Sequence, residues 1–220
     1  MMVKATLALM AALALGACAG PQMVGRASDG LGGTGLVAAG QRVSAAYDVT
    51  RIDVVVPRNL KVSEENTFVP MADIVWHGDA TGDRYAQVQS IIAEAAERGT
   101  SGMASGQKVT VEVEVSLFHA LTPKARYTFG GNFATRLLLT VRDAATGAVV
   151  DGPRLVVADC PAAGGQRAMA EEARGLTQRM VIVDHVSGVL ARELSTRPAA
   201  APAPVVSRNA FQPSDLGLLQ

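Results

Sequence analysis

The residues able to do chemistry are few and dispersed. There are three histidines, His77, His119 and His185, and no two share the i, i+4 spacing that would bring both onto one helical face as metal ligands. The chain has no HExxH, CxxC or GxSxG. A periplasmic hydrolase or metal-dependent enzyme would have to assemble its site over long range, from these histidines with Asp73, Asp79 or Asp184. The plainer reading of each histidine is structural or surface. Cys160 lies in Val157-Ala158-Asp159-Cys160-Pro161, at the end of an apolar run, and reads as a buried or half-buried thiol at a strand end. The sharper alternative, a nucleophile, lacks a neighbouring base in sequence to lower its pKa.

Gly30-Leu31-Gly32-Gly33-Thr34-Gly35 matches GxGxxG literally, but no strand pattern precedes it, so it reads as linker rather than a dinucleotide site. On these grounds no catalytic, cofactor-binding or metal-ligating residue is assigned.

One stretch concentrates binding chemistry. Phe118–Phe133 holds three of the five Phe and one of the three Tyr, with Lys124 and Arg126 among them. Aromatics beside arginine in a connection are what binding surfaces use, and Arg126 and Tyr127 are the candidate partner-binding residues. The alternative is local packing, with the strands extended through Tyr127 and Phe133.

The elements that must position these residues follow from periodicity. Val109–Phe118 alternates valines and leucine with Thr, Glu, Glu and Ser, the pattern of a strand with one face on a core and one in water. Arg51–Val56 and Ala72–Trp76 read as strands, with a short extended piece at Leu60–Ser63. Arg136–Arg142 and Ala148–Asp159 form a hairpin about the turn Asp143–Gly147. Asp83–Arg98 reads as a helix with Gly99 as its left-handed stop. A second helical pattern runs from Gln166 to about Leu194, weakened at Gly175 and Gly188. The expected fold is α+β: a single domain over residues 46–195, a mostly antiparallel sheet of about four to five strands with two helices packed on one face. A Pro/Ala-rich tail, 196–220, follows.

At the other end, residues 1–17 carry one charge, Lys4, then an apolar run to Leu15. The run is too short to span a bilayer and has the form of a secretory signal. Its end, Leu15-Gly16-Ala17-Cys18, resembles the lipobox of bacterial lipoproteins. That resemblance implies cleavage before Cys18, a lipid on its sulfur and acylation of the new N-terminus. With Ala19 rather than Asp next, it implies the outer membrane, on the periplasmic face. One acyl chain holds reversibly and two or more hold durably. Residues 18–45 are then the lipidated cysteine and a Gly-rich tether, which as a coil spans about 30 Å.

Removal of residues 1–17 takes one positive charge from a balance of 20 against 20, leaving the mature chain one charge negative. A near-neutral chain has no electrostatic case for nucleic acid. The expected partners are the membrane, through the lipid, and an envelope protein. Ala72–Asp79, Asp83-Arg84-Tyr85, Phe118–Thr122 and Ala125-Arg126-Tyr127 resemble an uncharacterised lipoprotein family of alphaproteobacteria. The resemblance brings no activity, cofactor or catalytic residue. The order of elements is also similar to that of auxiliary lipoproteins of envelope transporters, an analogy of fold alone. The expected function is a non-enzymatic binding or accessory module of an envelope transport or assembly complex. Cys18→Ser should release the protein from membranes into the soluble periplasmic fraction; a variant that still pellets with membranes after a high-salt wash would show another anchor.

Overall fold

The computed structural model describes residues 42–199. The signal, Cys18, the glycine run at 30–35 and the tail beyond residue 199 lie outside the described residues. Within them the chain runs β1 (Arg42–Ser44), β2 (Tyr47–Val55), β3 (Val62–Ser63), β4 (Ile74–Val75), α1 (Arg84–Thr100) and β5 (Gln107–His119). It continues through α2 (Pro123–Arg126), β6 (Gly131–Asp143), β7 (Val149–Val157), β8 (Cys160–Ala162), α3 (Gly165–Ala173), α4 (Gln178–Leu194) and β9 (Thr196–Pro198).

The expectation of a mostly antiparallel sheet of four to five strands with two helices is overturned. The main sheet has seven strands of mixed direction, and β1 and β9 form a separate two-stranded ladder. Strand β5 is paired in parallel with β2 along its first part and with β4 at its end, and β3 pairs in parallel with β4. Its other edge pairs antiparallel with β6, which in turn carries β7 and β8, both antiparallel. Four helices are present among the described residues rather than two. The alternation in β5 reports that one face is open to water. It does not report strand direction. Parallel neighbours require a crossover, and α1 lies between β2 and β5 in the chain to supply it.

On the covered face, Val109, Val111, Val113 and Val115 are buried and share one core with Ile91 and Ile92 of α1 and Val186 and Leu190 of α4. On the open face Glu114 is exposed, and Glu112 accepts from Arg142 Nε of β6 at 2.7 Å. The hairpin from β6 to β7 is closed by Asp143, whose carboxylate takes the Gln107 amide and the backbone and hydroxyl of Thr146. Those bonds hold its pKa down, to about 2.

Asp83 caps α1 by accepting from Ala86 N at 3.2 Å. Gly99 does not stop the helix. It lies inside α1, where a Cβ would stand 2.6 Å from the carbonyl oxygen of Ser187 in α4. Glycine is there because the two helices meet too closely for a side chain. The long helical pattern is divided at Gly175, with φ +78°, and Thr177 restarts it as α4 by accepting from Met180 N. Gly188 remains helical within α4.

The two ends of the described domain meet. Arg42 of β1 donates to Asp151 of β7 at 3.1 Å and to the carbonyl of Thr196 at 2.7 Å. The ladder so tied lies in segments that the sequence assigns to the tether and the tail. Among the described residues no helix is long and apolar enough to cross a membrane.

Val113 is 0% exposed, so Val113→Asp places an unpaired charge in the core and should abolish cooperative unfolding. Glu114→Lys, on the open face, should change stability by no more than about 0.5 kcal/mol. Urea titrations of the two variants check this, and equal effects would mean that both faces of β5 are covered.

Candidate functional site

The connections that leave the His119 end of β5 build a polar cleft and, beside it, an apolar patch. The cleft has a volume of about 340 Å³ and is lined by Trp76, His77, Asp79, Arg126, Glu172 and Arg179, among others. They come from several separate parts of the chain, and specific contacts hold them in place.

Trp76 follows β4, is buried, and meets Phe118 edge-on at 5.9 Å between ring centroids. Its indole N–H donates to Asp79 Oδ2 at 2.8 Å. Arg84, buried at the start of α1, donates to both carboxylate oxygens of Glu64 and to the carbonyls of Asp79 and Ala80. It thereby fixes the turn after Trp76 against the 64–72 connection, and it holds the Glu64 pKa below the ordinary carboxylate range. His77 is half-buried, and desolvation lowers its pKa. Its Nε2 is buried without a partner. The neutral ring can give or take a hydrogen bond there.

Helix α2 supplies the second wall. Thr122 caps it by accepting from Ala125 N, and Pro123 occupies its first turn. Arg126 is drawn inward from the open surface, although it still lines the cleft. It is 3% exposed, and its Nε donates to Glu172 Oε1 at 2.7 Å. Its Nη2 lies 3.9 Å from Glu171 Oε2, too far for a hydrogen bond, and has no acceptor. The physical reason is α3, which ends beside α2 and sets Glu171 and Glu172 against the guanidinium. Tyr127 is half-exposed and donates to Glu172 Oε2 at 3.1 Å. The hydrogen bond from Arg126, more than that from Tyr127, keeps the Glu172 pKa low. Gln178 ties α4 to the same connection, its amide meeting both Leu121 N and Leu121 O.

The patch is formed where the 64–72 connection meets α2. Thr122 Oγ1 donates to Thr67 O at 2.6 Å, and Lys124 N donates to Asn66 Oδ1 at 2.7 Å. So pinned, the connection holds Phe68 against Phe129 at 5.6 Å between centroids, with Lys124 Nζ 4.7 Å from the centroid of the Phe68 ring. Phe129 is 85% exposed, Met71 81% and Val69 76%. Sequence reasoning misses Phe68, Val69 and Met71; an apolar run beside Pro70, with no strand partner in the pattern, is the signal that marks them.

The other candidates lie apart. His119 Nε2 is bonded to Ala72 O at 2.7 Å. His185 and Asp184 line a separate cleft with Cys160, a proximity that sequence separation hides. Burial pushes the Cys160 thiol up, away from the thiolate. Asp73 accepts from Lys61 N, and Asp79 is engaged by Trp76. Among the described residues no three His, Cys, Asp or Glu side chains are grouped to hold a metal ion.

Fold and site together define a single sheet-rich domain with a polar cleft and an apolar patch at one end of its central strand. Residues 47–210 match a family of unknown function, DUF6778, and the chain belongs to that family. No curated protein and no solved structure matches the chain.

Arg126→Ala should lower stability by about 1–3 kcal/mol, since it strips a partly buried carboxylate of its charged donor. Tyr127→Phe should cost no more than about 1 kcal/mol. Because the Glu172 pKa is lowered in the fold, its contribution is complete above the ordinary glutamate pKa and is lost as pH falls through the depressed value. The gap between wild type and Arg126→Ala, measured by urea unfolding, should therefore narrow in acid.

Proposed function

We propose that this chain is a lipid-anchored, non-enzymatic binding module of the bacterial cell envelope, accessory to a transport or assembly complex. On this reading its family is one of alphaproteobacterial lipoproteins. The anchor is Cys18, supported by the lipobox-like Leu15–Cys18, and Ala19 favours the outer membrane. The observation that carries the binding role is the exposed Phe68–Phe129 pair, with Val69 and Met71 exposed on the same connection as Phe68, which hydrogen bonds fasten to α2. Exposed apolar clusters of this kind mark interaction sites, and aromatic anchors dominate their energetics.

Its position supports the same reading. The described chain begins and ends beside the Gln107 end of β5, where Tyr47 pairs with Gln107 and β1 pairs with β9. The patch stands at the His119 end. A strand of 13 residues is about 40 Å long, so a domain held through its N-terminal side presents the patch away from its point of attachment.

Photo-cross-linking in intact envelopes tests this. A photoreactive residue at position 69 or 129 should give a discrete protein adduct, and one at exposed Val149, on the hairpin at the other end, should not. Phe68→Ser with Phe129→Ser should remove the adduct while the melting temperature stays within about 3 °C of wild type. No adduct at 69 or 129, or equal adducts at 149, would sink the proposal.

A further inference from the structure

We infer that the cleft beside the patch receives an uncharged hydrogen-bond acceptor, an amide carbonyl, at the buried, unpartnered Nη2 of the Arg126 guanidinium. The inference rests on the reading of this end as the binding end and names the chemistry it recognises.

Three observations lead there. The first is an unmet donor beside an unpartnered ring nitrogen that can give or take a hydrogen bond. Arg126 is 3% exposed, yet Nη2 finds no acceptor, and His77 Nε2, in the same cleft lining, is also buried without a partner. A buried donor left unmade is costly, so a site that keeps one is completed by something that accepts. The second is that three carboxylate oxygens of the lining already hold other donors. Asp79 Oδ2 takes the Trp76 indole, and the two oxygens of Glu172 take Arg126 Nε and the Tyr127 hydroxyl. In this arrangement no lining carboxylate oxygen reaches Nη2.

The third observation is charge. Arg126 and Arg179 are matched within the lining by Asp79 and Glu172, and Arg179 is already paired to Glu94 Oε2 at 2.9 Å. Glu171 stands 3.9 Å from Nη2 and would repel an incoming carboxylate or phosphate. A neutral carbonyl oxygen accepts from the guanidinium without meeting that repulsion. Apolar contact comes from the Trp76 and Tyr127 rings at the cleft and the Phe68–Phe129 pair next to it. An amide flanked by an apolar side chain fits both features, and a polypeptide segment supplies both. The N-acetyl group of an amino sugar supplies the amide alone.

Nuclear magnetic resonance of the full chain in detergent micelles, with labelled histidine, tests this. His77 lines the cleft, while His119 and His185 serve as internal controls. N-acetyl-phenylalaninamide should move the His77 ring resonances saturably and leave the other two in place. N-acetylglucosamine should act more weakly if the source is polypeptide and more strongly if it is glycan. Acetate and inorganic phosphate at the same concentration should leave His77 unmoved. Arg126→Lys keeps the charge that Glu172 needs but loses the planar fork, and should weaken the amide response about tenfold. His119 and His185 resonances at wild-type positions would show that this variant is folded; if it is not, the wild-type comparison of probes decides alone. A response to acetate or phosphate without one to the amides, or equal movement of all three histidines, would overturn the inference. Cross-links at 69 and 129 that persist while no probe moves His77 would overturn it and leave the docking end standing.

Discussion

The burial of one face of β5 is the constraint from which the rest of the domain follows. Its valines at 109, 111, 113 and 115 need cover, and α1 and α4 provide it only by lying close together, as the contact of Gly99 with Ser187 shows. Both edges of β5 are paired along nearly its whole length, by β2 and β4 on one side and β6 on the other. A long, fully paired strand cannot slip, because a one-residue shift would turn every valine to water. The molecule therefore has two fixed ends. One gathers β1 and β9; the other carries the cleft and the patch.

The first long helix, the central strand and the hairpin were legible in the sequence because each carries a local signal. Asp83 begins α1, period-two valines mark β5, and Asp143–Gly147 turns β6 into β7. Strand direction was not legible. Parallel pairing of β2 with β5 depends on where the chain crosses over after α1, and no single segment encodes that. Short strands such as β3 and β4, two residues each, exist only because a neighbour pairs them. Gly99 reads as a helix stop for a related reason: its actual role is set by a residue of α4 distant in sequence.

The site was legible in part. The region around Arg126 and Tyr127 stands out by composition, because aromatics are scarce elsewhere. Composition does not separate the two residues. Tyr127 remains half-exposed while Arg126 is drawn inward by Glu172, 46 positions later. A surface arginine and a buried one look alike until the carboxylate that pairs with it is placed. His77 offers no spacing motif, and its place in the cleft with Arg126 arises from the β4–β5 register and the turn that Arg84 secures.

The ion pairs of this end set its rigidity. Arginine partners push the pKa values of Glu172 and Glu64 down, and both carboxylates serve as struts. Burial lowers the His77 pKa, and its Nε2 has no partner among the described residues. Ion pairs made in this way stiffen α2 and the 64–72 connection, which lowers the ordering cost of any partner that docks on Phe68 and Phe129. The same struts hold the Arg126 guanidinium in the cleft lining, with its Nη2 left without an acceptor among the described residues.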